Sequence, residues 1–255
     1  MSHSSTVNSI AKQLGESRNL AALSNTLEPN LPFILSETNS LYNQGRPGLS
    51  NTFGATLWGV DFNLWCAANN VQRVHMHQGT NYRYQSWQPI DTNITSKGTK
   101  APYYGNVAVA SYLGDLTGKA NLQKIVNIPL PNEREAAYAS YVSGKLAKLI
   151  VVNMEEYNAT AGNNYTDSYP RPIEEYNFQL PRGVKGEFGL QRLLANGSDA
   201  ITGVTFDGYS YNYELENGLP VLQRNVTRDE KVRVGRDGML RVQMARSSAV
   251  IVDMA

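Results

Sequence analysis

The hydrophobic pattern of the sequence changes near residue 117, and that change limits the fold more than any other feature. Before it, segments typical of helices and strands alternate in the order helix, strand, helix, strand, helix. This alternation favours an α/β fold with parallel strands. After Gly118, turn residues separate short apolar runs at a spacing of roughly ten residues, which favours a β-sandwich. The sequence therefore predicts an α/β region over residues 1–117 and an all-β domain over residues 118–255.

Three helices and two strands are predicted in the first part. Residues 6–23 carry apolar side chains three and four positions apart, which predicts a helix. Strands are predicted at residues 33–35, where the chain should be buried, and at residues 71–77. A long helix capped by Ser50 lies between them, and a last helix follows at residues 104–116. The long helix is apolar around more than one face, so we expect it to be buried on more than one side. Two strands are too few to close a barrel.

The second part is predicted to consist of short strands. They lie at residues 146–154, 201–206, 231–234, 240–244 and 249–252. Turn pairs separate them, at Asn163-Asn164, Asn196-Gly197, Asn217-Gly218 and Asp237-Gly238. Because alternating apolar residues flank Asp237-Gly238 on both sides, this pair predicts a β-hairpin.

Charge, apolar runs and cysteine content exclude several classes of partner and site. The net charge is +1 with no long charge run, so there is no electrostatic argument for a nucleic acid or an anionic membrane as partner. No apolar run approaches the roughly 18 residues that a membrane span needs. The single cysteine, Cys66, cannot form an internal disulfide, and its apolar neighbours in a predicted helix favour a small buried side chain.

Five sequons for N-glycosylation favour a secreted lineage. They begin at Asn93, Asn158, Asn164, Asn196 and Asn225. Yet the first residues contain neither a basic segment nor an apolar core, so no signal peptide is predicted in this chain. A secreted lineage without a signal peptide suggests that a front segment is missing.

Glu37 is the first candidate for chemistry, because it follows an apolar predicted strand directly. In α/β barrels the carboxyl ends of the strands hold the active site. A carboxylate at such a position can attack the anomeric carbon of a sugar. The alternative is an ordinary loop glutamate or a residue at the start of a helix.

Two further groups follow the second predicted strand. His75 and His77 share one face of it, but a zinc site needs a third ligand, and His3 lies at an N-terminus that we expect to be frayed. For one of the histidines, a hydrogen bond to a substrate or to a residue that contacts the substrate is favoured over a metal site. The loop at residues 81–87 combines tyrosines with Arg83, which suits a sugar carboxylate or, alternatively, a loop that only covers the rim of a barrel.

Several motifs in order resemble the end of the catalytic barrel of glycoside hydrolase family 79. They are Leu35-Ser36-Glu37-Thr38-Asn39-Ser40, Trp58-x-x-Asp61, His77-Gln78-Gly79, Tyr82-Arg83-Tyr84 and Gln88-Pro89-Ile90. Later stretches around residues 149–153, 192–194 and 249–253 resemble the C-terminal β-domain of the same family. Its fungal members are β-glucuronidases, and the family is related to heparanase. The resemblance covers nearly the whole chain and implies a partial (β/α)8 barrel, with strands seven and eight, followed by a C-terminal β-sandwich.

The resemblance also implies roles for individual residues. Glu37 matches the nucleophile at the end of strand seven. Tyr42, Tyr84 and the backbone N–H of Arg83 match contacts to the uronate carboxylate, His77 matches a site histidine, and Tyr82 is a weaker candidate. No cofactor or metal is implied, and the expected partner is a glycan that contains glucuronic acid.

One departure from the family concerns the second carboxylate. A retaining glycosidase needs an acid/base carboxylate about 5–5.5 Å from its nucleophile. In the family this is a glutamate after an asparagine at the end of strand four. Here Asn132-Glu133 is the only such pair, and it is interpreted as a turn in the β-domain. Strands one to six and the N-terminal segment are therefore expected to be absent. The missing part of the barrel would be a partner, and the chain alone is expected to be inactive.

Two alternatives remain at this point. One is a non-catalytic β-sandwich module that binds carbohydrate or braces another domain. The tyrosines of the second part permit this, although such tyrosines more often pack within a sandwich; they are Tyr157, Tyr165, Tyr169, Tyr209, Tyr211 and Tyr213. The other alternative is an incomplete gene product or pseudoenzyme, whose exposed strands would make it prone to aggregate.

Overall fold

The computed structural model describes residues 1–24, 32–117, 123–159 and 169–254. Its first part contains the helices α1 His3–Ser9, α2 Ala11–Ser24, α3 Phe53–Ala68 and α4 Ala101–Leu113, and the strands β1 Ile34–Thr38, β2 Arg73–Met76, β3 Trp87–Gln88 and β4 Gly98–Thr99. The second part contains β5 Gln123–Ile128, β6 Glu135–Val142, β7 Lys145–Asn153, β8 Ile173–Gln179, β9 Glu187–Leu194, β10 Thr205–Phe206, β11 Tyr209–Ser210, α5 Tyr213–Glu216, β12 Val221–Leu222, β13 Glu230–Arg233, β14 Met239–Ala245 and β15 Ser248–Asp253.

A large antiparallel sheet forms the centre of the described structure. Its strands follow the order β12-β11-β10-β9-β15-β7-β6-β5, and β13 also pairs with β9. One face, with Tyr138 and Ile150, packs against α3 and α4. The other face, with Ala139 and Val151, packs against the separate pair β8–β14. Because both faces are covered, the central strands are apolar at successive positions rather than alternating, and the second part is confirmed as β-structure.

Helix α3 lies between the large sheet and the first part of the chain. Phe53, Leu57 and Leu64 pack toward the sheet. Phe62 and Cys66 belong to a second apolar cluster. It also contains Ile10 and Leu14 near the N-terminus, and side chains of β1 and β2 pack against it. The expected burial of this helix on more than one side, and of the Cys66 side chain, is therefore confirmed.

Strands β1 and β2 pair in parallel, with α3 as the connection between them. Leu35 and Val74 face the helices, whereas Ile34 and His75 are exposed on the opposite side. Parallel pairing brings the carboxyl ends of the two strands to one edge. Residues that follow β1 and β2 therefore meet at the same end of this small sheet.

Three predictions for the first part are wrong in detail. The helix expected at residues 6–23 is interrupted at Ile10, whose φ of −119° and ψ of 10° are not helical. Ser50 does not cap α3, because Thr52 occupies the N-cap position and the Ser50 Oγ accepts a hydrogen bond from the Arg46 N–H at 3.0 Å. The strand predicted at residues 33–35 as buried is exposed on one side and continues to Thr38, so Glu37 lies inside β1 rather than after it.

The predicted hairpin at Asp237-Gly238 is also wrong. The turn exists, and the Gly235 N–H donates to the Met239 carbonyl at 2.8 Å. However, β13 pairs with β9 and β14 pairs with β8, so the turn joins the two β-layers instead of two paired strands. The strand expected at residues 201–206 is limited to Thr205–Phe206, and the turn predicted at Asn163-Asn164 lies outside the described residues.

Tyrosines of the second part contact other aromatic rings. Tyr211 packs edge-on against Tyr103 and Tyr104 of α4, with ring centroids 5.9 Å apart in both pairs. Tyr157 packs against Tyr169 in the same way. Tyr165 lies outside the described residues. These contacts favour a packing role for these tyrosines over a sugar-binding surface.

None of the helices among the described residues is both long and apolar enough to cross a bilayer.

The N-terminal helix is tied to the core by a buried carboxylate, so the expectation of a frayed His3 is wrong. Asp61 on α3 is fully buried. Its Oδ1 lies 2.9 Å from His3 Nδ1 and accepts a hydrogen bond from the Tyr138 hydroxyl at 2.6 Å. Burial opposes a charge on His3, but the hydrogen bond and the charge of Asp61 outweigh it and raise the pKa of His3 above its usual value. The charged pair therefore stabilises the fold below this raised pKa.

We predict that His3→Gln destabilises the chain in a pH-dependent way. Because the pKa of His3 is higher in the folded than in the unfolded state, its contribution is complete at low pH and is lost as the pH rises through the folded value. The variant should lose about 1 kcal/mol of unfolding free energy near pH 5.5 and much less near pH 9. Urea denaturation at both pH values measures the difference, and an equal loss at both would contradict the ion pair.

Candidate active site at the ends of the parallel strands

Glu37 lies at an irregular point of the β1–β2 pair. Leu35 pairs with Val74 and Thr38 pairs with Met76, so two residues of β1, one of them Glu37, stand opposite a single residue of β2. Bulges of this kind often re-aim a side chain beside an active site. Glu37 is exposed, and among the described residues no hydrogen bond or ion pair engages its carboxylate. The carboxylate is thus available to an external group.

Three rings gather just beyond the end of β2, and we call them the aromatic cluster: His77, Tyr82 and Tyr84. The ring centroids of His77 and Tyr82 are 5.1 Å apart, and those of Tyr82 and Tyr84 are 5.6 Å apart. His77 Nδ1 lies 3.1 Å from the Tyr84 hydroxyl oxygen. Burial, followed by the charges of Tyr82 and Glu37, raises the pKa of Tyr84. The Tyr84 hydroxyl therefore stays protonated and can donate a hydrogen bond, and the charge of Glu37 acts on it.

The loop that carries Tyr82 and Tyr84 needs two special backbone positions. Asn81 has a φ of 70°, in the left-handed region that asparagine tolerates better than most residues. A Cβ at Gly79 would lie 2.3 Å from the Tyr82 ring, so only glycine lets that ring pack in place. Gln88 accepts a hydrogen bond from the Asn81 N–H at 3.1 Å, and Gln78 accepts one from the Ser86 N–H at 2.7 Å. The roles of these two glutamines were not predicted, because nothing in their spacing indicates that their side chains accept hydrogen bonds from the loop backbone.

Two residues expected to bind a carboxylate are placed differently. The Arg83 N–H, expected to bind a substrate, donates to the Gln44 carbonyl at 2.7 Å. Tyr42 is 80% exposed, and among the described residues no ring contact joins it to the aromatic cluster. The three residues that follow Tyr42 have positive φ values, of 50° at Asn43, 66° at Gln44 and 76° at Gly45. A run of left-handed residues is strained where they are not glycine, and such strain is common near binding sites.

A second carboxylate for the chemistry is not found at Asn132-Glu133. These residues form the predicted turn, in which the Glu135 N–H donates to the Asn132 carbonyl at 3.1 Å. The Glu133 carboxylate accepts a hydrogen bond from Ser4 on α1. The interpretation of this pair as a turn is confirmed. Within the described ranges no group of three or more His, Cys, Asp or Glu residues could hold a metal ion.

Residues 137–251 match the model of the glycosyl hydrolase family 79 C-terminal beta domain. A β-glucuronidase of Aspergillus niger is 51% identical over 260 aligned positions, which cover 100% of this chain and 47% of that protein. The chain belongs to glycoside hydrolase family 79. A β-glucuronidase of Neurospora crassa is 48% identical and covers 89% of this chain and 44% of its own length. The chain thus spans about half the length of the curated relatives it matches.

A solved structure supports the fold of this family 79 chain. A 4-O-α-L-rhamnosyl-β-D-glucuronidase from Fusarium oxysporum, in complex with Rha-GlcA, aligns with 99% of this chain and 49% of its own. The TM-score is 0.76 at 23% sequence identity, so the likeness concerns the fold alone. It includes both the parallel strand pair and the β-domain, because the alignment covers nearly all of the chain.

We predict that Gly79→Ala displaces the Tyr82 ring from the aromatic cluster. The new methyl group would occupy the space of that ring, which can only swing outward. Imidazole proton shifts of His77, measured by NMR, should then change as they do in Tyr82→Ala, because the ring current of Tyr82 is lost. Gly59→Ala in α3 is the matched control, since a Cβ there meets no atom within 4 Å. Unchanged His77 shifts in Gly79→Ala would show that Tyr82 does not pack as described.

Proposed function

We propose that this chain is the C-terminal portion of a retaining β-glucuronidase, in which Glu37 is the nucleophile. The observation that supports this most is the position of Glu37, exposed at a bulge of a parallel strand, with its charge acting on Tyr84 of the aromatic cluster. In the proposed reaction the Glu37 carboxylate attacks the anomeric carbon of a terminal glucuronic acid and displaces the glycan oxygen. The names of the fungal relatives support a glucuronide as substrate.

The aromatic cluster would recognise the uronic acid. We propose that the Tyr84 hydroxyl, which burial keeps protonated by raising its pKa, donates a hydrogen bond to the C6 carboxylate. His77 would form a hydrogen bond with a sugar hydroxyl. Tyr82 would offer a ring to the sugar. The Arg83 side chain can add its positive charge, whereas its N–H would first have to leave the Gln44 carbonyl. Tyr42 would contribute only by turning its exposed ring toward the sugar.

The remaining parts of the machinery would lie in a further N-terminal segment. We infer that β1 and β2 are strands seven and eight of a (β/α)8 barrel, that residues 1–117 are its last portion, and that residues 118–255 are the accessory β-domain. The exposed outer side of β1 and β2 and the greater length of the relatives support this. The missing barrel segment would be the partner that supplies the acid/base carboxylate. Without it, we expect this chain alone not to hydrolyse glucuronides efficiently. No cofactor enters the proposed reaction.

A secreted glycoprotein is proposed on the basis of the sequons. Asn93, Asn196 and Asn225 are exposed, which is compatible with attached glycans. Asn158 is half-buried, and Asn164 lies outside the described residues.

Binding of a uronate by the isolated chain tests the proposed site. Methyl β-D-glucuronide should bind more tightly than methyl β-D-glucoside, because only the former carries the carboxylate. Tyr84→Phe removes one hydrogen bond to a charged group and should weaken glucuronide binding about tenfold. Binding of the glucoside should change little. Isothermal titration calorimetry measures both sugars.

Tyr209→Phe in the β-domain is the matched control for this substitution. Equal affinity of the wild-type chain for the two sugars, or an unchanged affinity of Tyr84→Phe for the glucuronide, would contradict uronate recognition by the aromatic cluster.

A further inference from the structure

A separate cleft opens beside Tyr82 and Arg83, where residues 94–100 approach the β-domain. It encloses about 310 Å³ and is bounded on the β-domain side by Thr202 and Glu214. This volume is near the lower end of the size of small-ligand pockets, roughly 300 Å³, and suits about one sugar ring. The Thr99 hydroxyl donates to the Tyr211 carbonyl at 2.7 Å, which fixes this wall to the β-domain. The cleft is therefore a built feature and not a gap beside a loose loop.

Positive charge dominates the lining of the cleft. Arg83, Lys97 and Lys100 line it, whereas Glu214 is the one carboxylate among the described lining residues. In the described part of the chain none of the three cations forms an ion pair. Glu214 in turn accepts a hydrogen bond from the Asn212 amide at 3.0 Å. The charges of Glu214 and Asp91 act on Lys100. Three cations against the single carboxylate of Glu214 still leave the lining with an excess of positive charge.

Each of the three cations contacts a group of the protein, and Lys97 is also exposed to solvent. The Lys97 Nζ lies 5.1 Å from the centroid of the Tyr213 ring. The Lys100 Nζ donates to the Ser96 carbonyl at 2.6 Å, and burial lowers the pKa of Lys100. The Arg83 Nε is buried and has no hydrogen-bond partner among the described residues. An unpaired cationic N–H costs free energy that an incoming anion can offset.

The polar groups around these charges resemble those that bind polyols. Hydroxyls of Thr95 and Thr202 and the amide of Asn51 line the same space, and Tyr82 offers an aromatic ring at one side. Hydroxyls and amides can both donate and accept, as sugar hydroxyls require. We propose that this cleft binds an anionic sugar unit, one that carries a carboxylate or a sulfate ester. The cleft shares Tyr82 and Arg83 with the proposed uronate site, but Glu37, His77 and Tyr84 do not line it. A second anionic-sugar site here goes beyond the proposed glucuronidase function.

The proposal is tested by NMR titration of the isotope-labelled full chain. The probes are methyl β-D-glucuronide and glucose 6-sulfate, with methyl β-D-glucoside and inorganic sulfate as references. At least one of the two anionic sugars should shift the amide signals of residues 94–100 in a saturable way. The sugar that produces these shifts shows whether the cleft binds a carboxylate or a sulfate ester. The neutral glucoside and inorganic sulfate should bind at least about tenfold more weakly.

Variants at one lysine separate binding from general surface charge. Lys97→Ala should weaken anionic-sugar binding about tenfold, because it removes one charge-assisted contact. Lys97→Arg should retain binding, since it keeps the charge. Lys185→Ala, at an exposed lysine elsewhere in the β-domain, should change nothing.

Two results would overturn the proposal. One is the absence of saturable shifts at residues 94–100 with either anionic sugar, or binding that Lys97→Ala leaves unchanged. The other is inorganic sulfate binding as tightly as the sugars, which would leave a simple anion site. Shifts at His77 and Tyr84, which do not line the cleft, report separately on the proposed glucuronidase site. Their absence, with shifts at residues 94–100 retained, would count against the glucuronidase and leave this cleft in place.

Discussion

The burial of α3 on two opposite sides is the interaction on which the rest of the structure depends. Phe53 and Leu57 attach the helix to the large sheet, while Phe62 and Cys66 hold the parallel strands β1 and β2. Full burial of several side chains of this size contributes roughly 1.5–3 kcal/mol each. Two parallel strands alone would not form a stable sheet. The β-domain therefore acts, through α3, as the scaffold that fixes where the ends of β1 and β2 lie.

That scaffold brings together the residues of the proposed site. The carboxyl ends of β1 and β2 place Glu37 near the aromatic cluster, and Gly79 and Asn81 let the loop fold over it. The proposed chemistry needs a second carboxylate about 5–5.5 Å away. This chain covers only 47% and 44% of the two fungal relatives, and we therefore assign the acid/base carboxylate to a segment outside it. The cationic cleft beside Arg83 is assembled differently, from residues 94–100 and the β-domain.

Features set by local chemistry were predictable from the sequence, and those set by distant contacts were not. The turn at Asn132-Glu133 depends on the residues themselves, and it was foreseen. The Asp237-Gly238 turn was foreseen. The strands on either side of it pair with β9 and β8 rather than with each other, and the sequence near the turn does not indicate this. His3 was expected to fray because it lies at the N-terminus. Its partner Asp61 is 58 positions away, so the sequence around His3 gives no sign of the contact.

In the candidate site, too, the residues could be named from the sequence, whereas several of their contacts could not. The histidine, tyrosines and carboxylate were named from motifs in the resemblance, and the structure brings His77, Tyr82 and Tyr84 into contact. The Arg83 N–H donates its hydrogen bond to the Gln44 carbonyl, and the left-handed φ of Gln44 has no sequence signal comparable to a glycine. The exposure of Tyr42 likewise depends on how that strained segment folds.

Covalent trapping tests the role of Glu37 most directly. In a 2,4-dinitrophenyl 2-deoxy-2-fluoro-β-D-glucuronide the phenolate leaves without protonation, so attack by the nucleophile needs no acid/base carboxylate. Breakdown of the resulting ester does need a general base, and the intermediate should accumulate. Mass spectrometry of the treated chain should find one fluoroglucuronosyl group on the peptide that contains Glu37, and none in Glu37→Gln. An unlabelled chain, or a label that persists in Glu37→Gln, would contradict the assignment of Glu37 as the nucleophile.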